Sequence, residues 1–241
     1  MLRLNELDVG YGAFTAVHGL SLEVGQGDIF ALLGANGAGK TSTLMALAGH
    51  AEIKAGEVVF EGHDITRLPA ARRAAAGLAI APEGRRLFPD LSVAENLQVG
   101  GYAQPRRAAA RNRSKVFDLF PRLGQRLAQP AGTLSGGEQQ MLAIGRAMMA
   151  EPKLLMIDEL SLGLMPKAID TCYRALAQLQ GIGLTIVLVE QNTRRALEIA
   201  NQVCVLESGR ATWQGTGAEA RAEPAKIEAS MGLGRKIEVV K

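Results

Sequence analysis

Two glycine-rich segments of this sequence contain residue types that can bind phosphate, and the first covers residues 34–41. It reads Gly-Ala-Asn-Gly-Ala-Gly-Lys-Thr and fits the pattern G-x-x-x-x-G-K-[ST]. Its glycines let successive backbone N–H groups curl around phosphate oxygens, and Lys40 adds a positive charge beside those oxygens. The Thr41 hydroxyl is a ligand suited to Mg²⁺. The loop residues that we predict to contact a nucleotide are Gly34, Asn36, Gly37, Ala38, Gly39, Lys40, Thr41 and Ser42.

Two consecutive acids, Asp158 and Glu159, follow a short apolar run at residues 154–157. An uninterrupted apolar run of this length is typical of a parallel strand that is buried on both faces. Ligands of open α/β sheets bind beyond the carboxyl ends of such strands, where the two acids are expected to lie. We predict that Asp158 holds Mg²⁺ through water and that Glu159 is the general base that orients an attacking water. A solvated acidic pair at a strand end is the alternative.

The second glycine-rich segment reads Leu-Ser-Gly-Gly-Glu-Gln-Gln at residues 134–140 and precedes a helical pattern. Ser135 is a favoured helix-capping residue, and the helix N-terminus after Gly136 and Gly137 presents backbone N–H groups that can bind an anion. The segment therefore predicts a second phosphate-binding element. An ordinary capped helix behind a flexible loop is the alternative.

The elements that position these segments alternate between strands and helices. The predicted strands cover residues 2–9 (with a break in alternation at Glu6), 21–24, 28–33, 57–60, 154–157, 184–189, 202–207 and 210–214. The first predicted helix begins inside the phosphate loop and runs to about Gly49, and the others cover residues 69–76, 92–99, 105–120, 135–149, 167–180 and 193–200. A turn is expected at residues 62–64. We interpret residues 1–241 as a single domain, in which a helical subdomain (85–150) is inserted into an α/β core (1–84 and 151–223). Residues 224–241 form a tail without assigned structure.

Composition excludes several classes of protein. The formal net charge of +3 is too small to predict nucleic-acid binding. Cys172 and Cys204 lie in apolar surroundings, which favours buried thiols over a disulfide. The N-terminus lacks the apolar core of a signal peptide, and the longest apolar runs are far shorter than the roughly 20 residues of a membrane span. We therefore expect a soluble chain that reaches a membrane only through partners.

With both glycine-rich segments and the acidic pair in this order, the sequence resembles the ATPase subunits of ATP-binding-cassette (ABC) transporters over nearly its whole length. The resemblance implies an α/β P-loop NTPase core, with a RecA-like mixed sheet and an N-terminal antiparallel β part, plus the helical subdomain. It implies ATP and Mg²⁺ as ligands and Tyr11 as the aromatic residue that stacks on adenine. It also implies that Ser135, Gly136 and Gly137 of one subunit close over the ATP that a partner subunit holds.

Three positions depart from the usual pattern of that family. Glu83 stands where most members carry Gln, and its carboxylate can still face Mg²⁺ or water. Gln191 stands where most members carry His, and it can donate a hydrogen bond to a γ-phosphate oxygen but cannot take up a proton. In the loop at residues 160–166, Leu160 stands directly after Glu159 where most members carry Pro, and the Asp that usually ends the loop is missing, which predicts weaker coupling between the two sites of a dimer.

With these departures, the sequence resembles one group within the family, the second (F-type) ATPase of importers for branched-chain amino acids. The ATPases of urea and short-chain amide importers are closely related to this group. The resemblance implies a heterodimer with a second ABC ATPase (a homodimer is the alternative), two integral-membrane permeases, and indirectly a solute-binding protein. It places the chain peripherally on the cytoplasmic face of the inner membrane, with residues 83–101 as the permease dock. A non-transport ABC ATPase and a lipid- or polysaccharide-export ATPase are the rival interpretations.

Overall fold

The computed structural model describes residues 1–232 of the chain, and within this range ten strands and ten α-helices form. The strands are β1 (Leu2–Tyr11), β2 (Phe14–Val24), β3 (Ile29–Gly34), β4 (Glu52–Phe60), β5 (His63–Asp64), β6 (Leu78–Ala81), β7 (Leu154–Asp158), β8 (Thr185–Glu190), β9 (Gln202–Glu207) and β10 (Arg210–Thr216). The helices are α1 (Lys40–Ala48), α2 (Ala70–Ala76), α3 (Val93–Gly100), α4 (Arg106–Leu119), α5 (Pro121–Gly124), α6 (Gly136–Met148), α7 (Pro166–Gly181), α8 (Thr193–Ile199), α9 (Gly217–Ala222) and α10 (Pro224–Ser230). The predicted α/β class is confirmed.

The chain divides into two compact units. The first contains residues Met1–Gly25, Ile29–Leu68 and the described residues from Val189 onward, and the second contains Gln26–Asp28 and Pro69–Leu188. The predicted helical subdomain at residues 85–150 lies wholly within the second unit, and its boundaries stay a prediction.

The first unit contains an antiparallel sheet with strand order β2-β1-β4-β5, which is the predicted N-terminal β part. Leu2, Leu4 and Leu7 of β1 are buried, and the register shifts between Leu4 and Leu7, where Glu6 takes a left-handed conformation. This bulge confirms the predicted break in alternation. The same unit pairs β3 with β9 in parallel and β9 with β10 in antiparallel fashion.

The second unit pairs β6 with β7 in parallel, from Leu78 opposite Leu154 to Ala81 opposite Ile157, and β8 lies beside β7. Every residue of β7 is buried, as its uninterrupted apolar run predicts. Helix α6 packs on α3, α4, α5 and α7 and on the strands β6 and β7. The N-terminus of α6 therefore belongs to a helix that is packed against several elements of this unit.

Several boundaries differ from the predicted ones. Strands β2 and β4 begin several residues earlier than predicted, because pairing with β1 extends them through segments of mixed polarity. The turn before β5 is at Glu61-Gly62, and His63 pairs with Phe60. The sequence leaves the tail from Pro224 unassigned, and in the structure residues 224–230 form α10, in which Ile227 is fully buried. Residues 233–241 of that tail lie outside the described residues.

The two cysteines behave as predicted. Cys172 and Cys204 are buried free thiols, and burial raises the pKa of each to about 12. Among the helices of residues 1–232, none is long and apolar enough to cross a membrane.

Candidate functional site

The phosphate loop of the first unit connects the buried strand β3 to α1, as predicted. Gly37 and Gly39 have φ angles of 80° and 102°, which L-residues rarely adopt. A Cβ atom on Gly39 would lie 2.9 Å from the Ala16 carbonyl oxygen and 3.0 Å from a methyl carbon of Val17. The backbone therefore needs glycine here both for its conformation and for its space.

Lys40 lies inside this loop, and only 4% of its surface is exposed. Its Nζ donates hydrogen bonds to the carbonyl oxygens of Gly34 (2.9 Å) and Ala35 (3.1 Å). Holding an ammonium group out of water is costly unless it is compensated. A bound phosphate group would compensate this charge more fully than carbonyls do, so the loop fits an anionic ligand.

The other residues predicted for the phosphate loop differ in how far they are exposed to solvent. Thr41 and Ser42 are half-buried in the first turn of α1, and Asn36 is exposed at the tip of the loop. The Thr43 hydroxyl donates to the Gly39 carbonyl at 3.0 Å, which ties the end of the loop to the helix. Sequence reasoning did not single out Thr43.

Two more predicted residues of the first unit are Tyr11 and Gln191. Tyr11 is the last residue of β1 and is 49% exposed, so its ring is not a core side chain. Gln191 is exposed directly after β8, and its backbone N–H donates to a carboxylate oxygen of Glu190 at 3.2 Å. The buried Glu190 also accepts from the N–H of Asn192, and it thereby shapes the turn that presents Gln191. Sequence reasoning missed this role of Glu190.

The acidic pair belongs to the second unit. Asp158 is the last residue of β7 and is fully buried, whereas Glu159 is half-buried with a φ of 48°. A glutamate in this left-handed conformation is strained, and such strain is common at functional sites. Glu83 is exposed two residues after β6, and Ala81 of β6 lies opposite Ile157 of β7. The parallel pairing therefore brings all three predicted acids to one edge of the second unit.

These acids suit a magnesium ion that is also bound by phosphate. Among residues 1–232, no group of three or more His, Cys, Asp or Glu side chains is arranged to hold a metal by itself. Mg²⁺ characteristically takes one or two carboxylates and completes its shell with water and substrate phosphates. The buried carboxylate of Asp158 is a ligand of that type.

Ser135 is the N-cap of α6, so the predicted helix N-terminus is confirmed, although the helix begins at Gly136 rather than at Glu138. The Ser135 hydroxyl donates to Glu138 Oε2 at 2.7 Å, and the same carboxylate oxygen accepts from the Ser135 N–H at 3.0 Å. This capping box means that the capped-helix alternative also holds. The S-x-x-E spacing signals it in the sequence.

Glu138 is buried, and burial by itself would raise the pKa of its carboxyl group. The hydrogen bonds from Ser135 and the positive charges of Arg126 and Arg122 outweigh burial and hold this pKa below its ordinary value. Arg126 Nε lies 3.2 Å and an Arg122 nitrogen 3.8 Å from Glu138 Oε1. The carboxylate therefore stays charged at neutral pH and keeps the cap intact.

The loop after Glu159 begins with Leu160, which stands where most members of the family carry Pro. Leu160 is fully buried, whereas Leu162 and Met165 are 55% and 75% exposed. Burial of an apolar side chain next to Glu159 anchors the strained residue to the core of its unit.

Comparison with known proteins places these features in a family. The family model described as "ABC transporter" matches residues 17–161. The chain is 44% identical to the high-affinity branched-chain amino acid transport ATP-binding protein BraG of Pseudomonas aeruginosa, over 96% of this chain and 100% of that protein. It is 36% identical to the probable branched-chain amino acid transport ATP-binding protein LivF of Archaeoglobus fulgidus, over 91% and 93% of the two chains.

Solved structures have the same fold. An ATP-binding subunit of an ABC transporter is 26% identical with a TM-score of 0.84, and the match covers 96% of this chain and 99% of that one. A nucleotide-free ATP-binding cassette of an ABC transporter superposes with a TM-score of 0.86 at 23% identity, covering 98% and 99%. Together with the phosphate loop on β3 and α1, these matches show that the chain belongs to the ABC transporter family, as an ATP-binding cassette.

Proposed function

We propose that this chain is the ATP-hydrolysing subunit of an ABC importer and that its turnover drives uptake of branched-chain amino acids. The observation that carries the proposal is the 44% identity to BraG over the whole length of that protein. LivF of Archaeoglobus fulgidus is named for the same class of solute. The departures at Glu83 and Gln191 had already favoured this group of importers.

In the proposed site the phosphate loop binds the β- and γ-phosphates of ATP. Lys40 exchanges its carbonyl partners for phosphate oxygens, and the loop N–H groups and the α1 dipole add to the attraction. Tyr11 stacks on the adenine ring. When bound, Mg²⁺ neutralises charge on the phosphates, and the Thr41 hydroxyl, Asp158 and Glu83 are the groups that hold it.

Hydrolysis in this proposal needs a water that is aligned with the γ-phosphate. The water oxygen bonds to the γ-phosphorus as the bond from that phosphorus to the bridging oxygen breaks, which yields ADP and inorganic phosphate. Glu159 orients the water and accepts its proton, and Gln191 donates a hydrogen bond to a γ-phosphate oxygen.

The complete site requires a partner cassette and a membrane complex. Ser135 and the N–H groups of Gly136 and Gly137 contact the ATP on the partner, and we expect the partner to be a second, different ATPase. A homodimer is the alternative. Two permeases dock at residues 83–101 on the cytoplasmic face of the membrane, and a solute-binding protein delivers the amino acid to them. No nucleic acid takes part.

Replacing Gln191 with histidine is expected to leave ATPase turnover within about threefold of the wild type, because either side chain donates a hydrogen bond to phosphate. The Asn192 cap of α8 is untouched by the change. Steady-state phosphate release measures the effect, with Gln191→Ala as the variant that loses the donor and slows. A collapse of turnover in Gln191→His would show that the amide geometry itself is required.

Affinity purification of the full chain from its native membrane, followed by mass spectrometry, tests the proposal. Two permeases, a second cassette ATPase and an amino-acid-binding protein are expected to copurify, and isothermal titration of that binding protein then identifies the solute. A binding protein that takes urea or an amide would redirect the proposal to that solute. Ribosomal or DNA-repair proteins without a permease would overturn it.

A further inference from the structure

The segment that follows Glu83 is tied to the first turn of α6 by Arg85. The guanidinium of Arg85 donates through Nη1 to the Gln139 side-chain oxygen at 2.9 Å. Its Nη2 lies beside Gly136, because a Cβ atom built on that glycine would be 3.3 Å away from it. Arg85 therefore covers the same helix turn that carries Ser135 and Gly136.

Gln139 connects Arg85 to the residues that precede Ser135. While its amide oxygen accepts from Arg85, its amide nitrogen donates to the carbonyl oxygen of Ala131 at 3.3 Å. Both the oxygen and the nitrogen of the Gln139 amide thus form hydrogen bonds, which fixes the orientation of this side chain. Arg85, Gln139 and Ala131 form a continuous hydrogen-bonded chain around the N-terminus of α6.

A second arginine holds the backbone of the same segment. Arg146, in the last turn of α6, donates to the Arg85 carbonyl oxygen at 3.1 Å, and its guanidinium carbon lies 5.5 Å from the Phe88 ring centroid. Burial lowers the pKa of Arg146, and the carbonyl and the ring partly compensate that desolvation. The segment is consequently fixed to α6 at two points, one through a side chain and one through the backbone.

The backbone between Glu83 and these contacts takes an unusual path. Gly84, Arg85 and Arg86 are consecutive left-handed residues, with φ angles of 69°, 64° and 42°. Only glycine takes this conformation without a steric cost, so the two arginines need compensating contacts. Arg85 has such a contact, whereas Arg86 is exposed. Arg85 is therefore the arginine of this strained turn whose side chain reaches α6.

We propose that Arg85 is a positioning residue that makes the Glu83 segment and the first turn of α6 move as one piece. A displacement of Glu83 on nucleotide binding is then transmitted to Ser135 and Gly136, the residues that would contact the partner's ATP. The inference rests on the proposed function, because it assigns a role to Arg85 in the same ATPase cycle.

The first test compares Arg85→Ala with Arg113→Ala in the purified transporter complex, because Arg113 is exposed in α4 and lies outside the proposed permease dock. Loss of a hydrogen bond to a charged group changes an equilibrium constant by about tenfold to a hundredfold. The fraction of molecules in which the first turn of α6 is held in place, and kcat with it, is therefore expected to fall at least about tenfold in Arg85→Ala. The KM for ATP stays within about twofold because the phosphate loop is unchanged, whereas a merely structural defect would lower the melting temperature and alter both constants. Arg113→Ala is expected to match the wild type.

A rescue experiment shows whether turnover needs the hydrogen bond between residues 85 and 139 or needs an arginine at position 85 for another reason. Exchanging the partners in the double variant Arg85→Gln with Gln139→Arg is expected to restore most of the lost turnover, because a guanidinium and an amide oxygen again face each other. Hydrogen exchange of the peptide at residues 134–141 gives a second readout. In the wild type MgATP is expected to slow its exchange, whereas in Arg85→Ala we expect the slowing to persist only in the phosphate-loop peptide at residues 34–42.

The outcomes separate this inference from the function on which it rests. If the wild-type complex hydrolyses ATP but Arg85→Ala behaves like Arg113→Ala in both readouts, the positioning role is overturned and the ATPase assignment stands. If the wild-type complex hydrolyses no ATP, the proposed function fails, and the inference fails with it.

Discussion

Replacing Glu159 with glutamine is expected to lower kcat by about 10²–10³ while ATP binding persists, a loss of about 3–4 kcal/mol of transition-state stabilisation. The amide keeps the size of the side chain and leaves the left-handed backbone at this position unchanged. It removes the group that accepts the water's proton, so only the chemical step is affected. Single-turnover phosphate release, together with equilibrium binding of a fluorescent ATP analogue, separates the two effects.

Glu151→Gln is the matched control for this variant. Glu151 also belongs to the second unit and also has a positive φ, but it is exposed and pairs with Arg111 at 2.8 Å. Its replacement is expected to leave kcat within about twofold, because an exposed ion pair contributes at most about 1 kcal/mol to stability. Near-normal hydrolysis by Glu159→Gln would rule out Glu159 as the general base.

Replacing Lys40 with methionine is expected to weaken ATP binding by about 10²-fold or more, because each hydrogen bond to a charged group contributes about 1.5–3 kcal/mol. Methionine keeps most of the apolar stem, so the buried packing of this position is largely preserved. Hydrolysis is then lost together with binding. Titration calorimetry with MgATP measures the affinity.

Lys115→Met is the control for the loss of a lysine from a helix. Lys115 lies in α4, and its ammonium is 3.7 Å from a Glu151 carboxylate oxygen on the surface. Removing it is expected to leave ATP affinity unchanged. Thermal melting of both variants shows whether the fold persists, and unaltered MgATP affinity in a folded Lys40→Met would contradict the phosphate-loop assignment.

Sequence reasoning succeeded where a backbone path demands particular residues. The phosphate loop needs glycine at Gly37 and Gly39 for their φ angles, and the turn then leads directly into α1 at Lys40. The all-apolar β7 could be recognised for a similar reason, because a strand buried on both faces excludes polar residues. Local requirements of this kind can be recognised from the residue types alone.

Contacts between distant parts of the chain could not be predicted in this way. The length of β2 and β4 depends on pairing with β1, and the burial of Ile227 in α10 depends on its packing against α8, α9 and the strands β9 and β10. The same holds for Arg85, whose partner Gln139 is 54 residues away. A segment rich in arginine could equally have been a solvated loop.

The residue types and their spacing were thus sufficient to predict the family and to place the phosphate loop between β3 and α1, the acidic pair at the end of β7 and the second glycine-rich segment at the start of α6, because each of these placements follows from local sequence. Only the folded chain shows that Leu160 is buried beside the strained Glu159. It also shows that Ser135 is held by Glu138, whose carboxylate lies near two arginines. It alone shows that Arg85 reaches α6. These features depend on burial and on long-range hydrogen bonds, which arise only when segments far apart in the sequence pack together.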